Sequence, residues 1–151
     1  MLDKNIGERL RSEFDISKYA AEQVSARLGK LAYQLHSAAR HPNADAVHDL
    51  RVAMRRFAQS VEVFSSVLPK SDQKKIRKKL KRMMEITAAI RDRDITLEFL
   101  GGAGFKKNDA LWKQIVADRK AVEKDLAERI KRWSQRDFSA KWRSALQLDL
   151  S

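Results

Sequence analysis

The chain has no cysteine, which excludes disulfides and thiolate chemistry. Only 5 glycines and 2 prolines interrupt its 151 residues. With no long β-branched run either, it reads as all-helical. No apolar run approaches the roughly 18 residues of a membrane span, and the charged N-terminus lacks a signal-peptide core, so a cytoplasmic protein is expected. The chain has 3 histidines and no His-Glu-x-x-His spacing, so neither a metal site nor a cofactor is expected. A phosphate-binding glycine loop is also missing. Gly101-Gly102-Ala103-Gly104 follows a helix and has no Lys-Ser/Thr pair after it.

What the chain does have is positive charge, 32 basic against 20 acidic residues for a net of +12. Residues 48–93 hold 13 of those basic groups and 5 of the acidic ones, while residues 1–47 are nearly balanced. A field concentrated in the middle of the chain favours a polyanionic partner.

Within that segment Val47, Leu50, Met54, Phe57, Val61, Phe64 and Leu68 repeat at spacings of three and four, which predicts one buried helix stripe. His48, Arg51 and Arg55 fall beside the stripe at i, i+3 and i+7, with Arg56 one position further round. Such a row suits an anion with repeated charged oxygens, though a solvated helix shoulder has the same spacing. The next helix opens with a basic run in which Lys74, Lys78, Lys81 and Arg82 share a face. Like charges so spaced cost helix stability, a cost that a bound anion would offset, though a solvated face has the same pattern. Further on, Asp94 continues the buried series from Ile90 towards Leu97. An isolated carboxylate there is expensive, so Asp94 is expected to pair with an arginine, as a packing and orienting device.

The remaining elements follow from breakers and caps. Residues 1–15 read as a leader, and 16–151 as a single domain. A first helix is expected from Asp15 or Ser17 to Arg40, and a second, capped by Asn43, from Ala44 to Leu68. Ser71 caps a third that ends near Leu100. A fourth starts at Asn108 or Asp109 with Leu111, Ile115, Val122, Leu126, Ile130 and Trp133 inward, broken at Asp118 and Arg119. A short fifth helix runs from Asp137 to Leu148. The fold expected is an antiparallel bundle of about four long helices plus a short C-terminal one. That last helix is aromatic, and a partner subunit is one natural place for its face, which suggests a dimer. Trp133 and Trp142 are read as packing residues.

The stretch Val47-His48-Asp49-Leu50-Arg51-Val52-Ala53-Met54-Arg55-Arg56-Phe57, followed by the basic third helix and by Ile90-Arg91-Asp92-Arg93-Asp94-Ile95, resembles the CHAD domain, the conserved histidine alpha-helical domain. The resemblance implies a non-catalytic helical module that binds inorganic polyphosphate and is often associated with polyphosphate granules. Carried onto this chain, it implies that His48, Arg51, Arg55 and Arg56 bind the anion with Lys74, Lys78, Lys81 and Arg82. Arg91 joins them, oriented by Asp92 or Asp94. A full CHAD domain is about twice as long, so the likeness is to its N-terminal half. Either two copies associate as a homodimer that rebuilds the full arrangement, or the chain is a fragment.

Nucleic-acid binding is the main rival, with nucleic acid otherwise only a non-specific competitor. No recognition-helix signature is visible, and aromatics do not interleave with the basic run. A phosphohydrolase needs metal carboxylates or an activated nucleophile. Asp92 and Asp94, two apart on a helix, point to different sides. A helical scaffold that is merely charged is a third reading. If polyphosphate is the ligand, affinity falls steeply with salt and rises as His48 gains a proton.

Overall fold

The computed structural model describes the backbone of residues 4–149 and, apart from residues 4, 13 and 14, their side chains. Five helices follow one another: α1 Lys4–Arg40, α2 Ala44–Val63, α3 Gln73–Gly102, α4 Ala110–Gln135 and α5 Phe138–Ala145. There is no strand among the described residues. The short links make consecutive long helices antiparallel neighbours: α1 packs on α2, α2 on α3, α3 on α4, and α4 returns to α1.

Two of the expected helix starts are corrected. α1 does not begin at Asp15 or Ser17; both lie inside a helix that starts at Lys4. No proline intervenes, and Glu8, Arg9, Leu10 and Arg11 after Gly7 are good helix formers, so propensity carries the helix outward. Burial does not, for its apolar stripe (Val24, Leu28, Leu31, Leu35) begins only at Ala20, while Leu10 is 62% exposed. Nor does Ser71 cap α3. Asp72 stands at the cap position without a side-chain bond, and the helix begins at Gln73.

α2 does start as expected, with Asn43 Oδ1 accepting from Ala46 N at 2.8 Å. It ends at Val63, short of Leu68, because the buried amide of Gln73 holds the following link in irregular turns. Gln73 Nε2 donates to the carbonyls of Ser65 at 3.1 Å, Leu68 at 3.3 Å and Pro69 at 3.0 Å. Ser65 Oγ donates to Gln73 Oε1 at 2.7 Å. One side chain thus satisfies carbonyls that a helix would have paired for itself.

α3 closes with a Schellman turn: Phe105 N donates to Leu100 O at 2.9 Å and Gly104 N to Gly101 O at 3.2 Å, with Gly104 at φ 92°. Glycine takes that conformation without a Cβ penalty. α5 ends the same way, Leu148 N donating to Arg143 O at 2.9 Å, but here Gln147 occupies the left-handed position at φ 50°.

The core is built on the α2 stripe, with Val47, Leu50, Met54 and Phe57 fully buried. Ile76, Leu80, Met83, Thr87 and Ile90 of α3 face it, as their spacing predicts. From α4 only Leu126 and Ile130 are buried; Leu111 is exposed and Ile115 and Val122 are half-buried. Burial on α4 is confined to its C-terminal half, which is why the expected stripe is incomplete.

The face of α5 does not await a partner. Trp142 is 5% exposed and stacks on Phe57 with ring centroids 5.6 Å apart and planes 2° from parallel. Leu146 and Leu148 are buried with it, and Arg143 donates to Ser25 Oγ on α1. The helix therefore seals its own chain's core and supplies no ground for a dimer.

Asp94 is 8% exposed and paired with Arg119 of α4. Arg119 Nε donates to Asp94 Oδ1 at 2.6 Å and Nη2 to Oδ2 at 3.3 Å. Nη2 also donates to Pro42 O at 2.9 Å, in the link between α1 and α2, and Nη1 pairs with Glu123. The interruption of the α4 stripe at Arg119 is thus a polar clamp joining α3, α4 and the α1–α2 link.

Removing Asp94 takes both of its bonds from a largely buried guanidinium and leaves Glu123 as the carboxylate beside it, so Asp94→Ala is expected to lower stability by about 2 kcal/mol in urea unfolding. A loss within experimental error would show that the clamp contributes nothing net. Gln147→Gly relieves a left-handed residue and is expected to raise stability by about 1 kcal/mol, read as a higher urea midpoint at unchanged slope.

Candidate functional site

Because the α2 stripe is buried, the rotation of the helix is fixed, and with it the direction of each cation. At about 100° per residue, His48, Arg51 and Arg55 fall on the flank of α2 nearer α3, and Arg56 falls on the flank nearer α1. The structure separates them accordingly.

Arg51 is half-buried at the α2–α3 seam. Its Nη1 donates to Met84 O at 2.7 Å and to Thr87 Oγ1 at 2.9 Å. Thr87 is buried, and its hydroxyl donates in turn to Met83 O at 2.9 Å. These bonds use both hydrogens of Nη1. The edge formed by Nε and Nη2, which offers a carboxylate or phosphate two parallel N–H groups, has no protein partner among the described residues. The guanidinium is therefore held at one nitrogen and presented by the others.

Burial, and after it the nearby charge of Arg55, push the Arg51 pKa below the usual arginine value; Asp92 opposes the shift and Arg91 adds to it. Arginine remains protonated all the same. Arg55 of α2 and Arg91 of α3 thus lie near enough to act on Arg51 by charge, and the exposed carboxylate of Asp92 acts the other way. His48 precedes Arg51 by three residues and is exposed on the same flank.

The basic run of α3 divides. Lys74 and Lys81 are exposed and lie on the side of α3 that carries Met84, toward α2. Arg77, which the sequence reading passed over, completes that side at the 77, 81, 84 spacing. Lys78 points away from the bundle. Arg82 lies on the opposite side, in a cleft with α4 and α5 that Lys79, Arg129, Arg132, Arg136 and Lys141 also line. Arg56 sits in a shallow groove with Arg27 and Lys30 of α1. The expected single face is thus three separate basic surfaces.

The Arg91-Asp92-Arg93-Asp94 segment fans out in the same manner. Asp94 is committed to Arg119 and does not orient Arg91. Arg93 folds back on its own helix, Nη1 donating to Ala89 O at 2.9 Å. Asp92 acts on Arg51 by charge and is otherwise exposed.

The second cluster had a sequence signal that was overlooked: Arg129, Arg132 and Arg136 recur at i, i+3 and i+7 at the end of α4. Among the described residues no group of three or more His, Cys, Asp and Glu side chains is placed to hold a metal ion, and no helix is long and apolar enough to cross a membrane.

The family model of the CHAD domain matches residues 22–151. No curated protein and no solved structure matches the chain. The matched segment takes in the second half of α1, the whole α2–α3 seam and everything after it, and the chain belongs to the CHAD domain family.

Proposed function

We propose that the protein binds inorganic polyphosphate, or a similar polyanion, along the α2–α3 seam and does no chemistry on it. The observation that carries this reading is Arg51, fixed to α3 by Nη1 with its bidentate edge open and with Arg55 and Arg91 crowding it. Like charges gathered at a partly buried seam raise the energy of the free protein. An anion threaded between them lowers it again.

A polyphosphate chain carries about one charge per phosphorus, repeated without base or sugar. A helix repeats its surface every turn, about 5.4 Å, so the row offers donors at intervals along the anion. Arg51 supplies the rigid fork, Arg55 and Arg91 flank it, and His48 adds a charge when protonated. Lys74, Arg77 and Lys81 extend the positive field as mobile point charges. Among the described residues no tryptophan, tyrosine or phenylalanine stands beside Arg51, Arg55 and Arg91 on the exposed side of the seam, which disfavours stacking on nucleic-acid bases. Binding of this kind would place the protein on polyphosphate granules. The likeness to one half of a longer CHAD arrangement remains the ground for proposing that two copies associate.

The test compares wild type with Arg55→Ala/Arg91→Ala, a pair chosen because neither side chain makes a hydrogen bond within the described structure. Binding of long-chain polyphosphate is measured at near-physiological salt against excess duplex DNA, with molar mass read by light scattering in the same run. The variant is expected to stay folded and to bind at least about tenfold more weakly. His48→Ala is expected to weaken binding by a smaller factor, read in the same titration. Equal binding by wild type and the double variant, or preference for DNA, would overturn the assignment; a monomer mass would remove the dimer alone.

A further inference from the structure

The cleft between α3, α4 and α5 differs from the seam in having an aromatic floor. It encloses about 190 Å³ and is lined by Lys79 and Arg82 of α3, Arg129, Arg132 and Arg136 at the end of α4, and Lys141 of α5. It is continuous with a second, shallower cleft through Lys79, Lys141 and Trp142. No carboxylate lines the first, and none of its cations forms an ion pair with a described carboxylate.

Helix electrostatics account for only part of this cluster. The carbonyl end of α4 favours Arg129, Arg132 and Arg136. Lys79 and Arg82 lie within the first half of α3 and gain nothing from a helix end. Lys141 is near the start of α5, where a helix favours the opposite charge. Those three are placed against the local dipole or without regard to it, and all three converge on the same space.

Beneath the cations lie three rings. Trp133, Phe138 and Trp142 stand pairwise with centroids 5.2 Å apart, tilted or edge-on to one another. Trp142 belongs to the core, but Trp133 and Phe138 are only half-buried and keep surface toward the cleft. An inorganic phosphate chain satisfies the cations and leaves that apolar surface wet. A ligand with phosphates at one end and a planar ring at the other covers both.

We infer that this cleft is a second binding site, distinct from the seam, for a nucleoside triphosphate: its phosphates are held by Arg132, Arg136 and Lys141, and its base lies against Trp133 and Phe138. The inference goes beyond polyphosphate binding at the seam and stands or falls without it.

The third tryptophan, Trp112, is about 30 Å along α4 from Trp133 and is replaced by phenylalanine so that fluorescence reports the cleft. This Trp112→Phe protein is titrated with ATP and, separately, with tripolyphosphate, both free of divalent metal, with excitation where adenine does not absorb. Tripolyphosphate carries as many phosphates and at least as much charge but no ring. Equilibrium dialysis runs alongside.

ATP is expected to change the fluorescence and to bind at least about tenfold more tightly than tripolyphosphate at this site. Arg132→Gln/Arg136→Gln, at exposed positions, is expected to weaken ATP about tenfold, as is Lys141→Gln on a separate helix. Arg55→Ala/Arg91→Ala is expected to leave ATP binding unchanged. The inference is overturned if tripolyphosphate binds as tightly as ATP, if the cleft variants bind ATP like the parent, or if neither method detects ATP. Loss of polyphosphate binding in the seam variant alone would speak only to the other site.

Discussion

The burial of one stripe of α2 governs the rest of the molecule. Val47, Leu50, Met54, Phe57 and Val61 are almost wholly removed from water, each worth roughly 1.5–3 kcal/mol on transfer. A rotation of α2 by even one residue, about 100°, would bring several of them to the surface. That energetic penalty fixes where His48, Arg51 and Arg55 point, although none of the three belongs to the core. The candidate shoulder is positioned by residues that do not belong to it.

Around that stripe the bundle is closed by polar devices at its joints and an aromatic seal at its end. Gln73 satisfies the α2–α3 link, Arg119 binds α3 and α4 to the α1–α2 link, and Trp142 lies flat on Phe57. Arg51 belongs to this structural set and to the candidate site at once. Its Nη1 ties α2 to α3, while Nε and Nη2 remain free to meet an anion. Substituting Arg51 therefore touches the fold as well as the candidate site, whereas Arg55 and Arg91 make no hydrogen bond among the described residues.

The helices were largely legible in the sequence because apolar spacing records burial directly. The inward series of α3 and the Asn43 cap both follow from local pattern. Ends set by distant side chains were not legible. Nothing near Val63 announces that a glutamine ten residues later will hold the link open, and before Ser17 helix propensity, with no apolar stripe beside it, is the signal that the helix is already running. The pairing of Asp94 with an arginine was readable from the cost of a buried carboxylate, but the identity of Arg119, 25 residues away, required the fold.

The same distinction applies to the cations. Spacing places Lys74, Lys78, Lys81 and Arg82 on one broad surface of an isolated helix, and the neighbours on either side of α3 then divide them. Arg82 goes to the aromatic cleft, Lys81 to the seam, Lys78 to solvent. The arginine side chains themselves give the most direct test of the seam as the polyanion site, through the NMR signals of their Nε–H groups during titration with polyphosphate. Arg51, Arg55 and Arg91 are expected to shift together and saturably, with Arg119 unmoved. Equal, unsaturating shifts spread over all exposed arginines, with Arg51 silent, would contradict it.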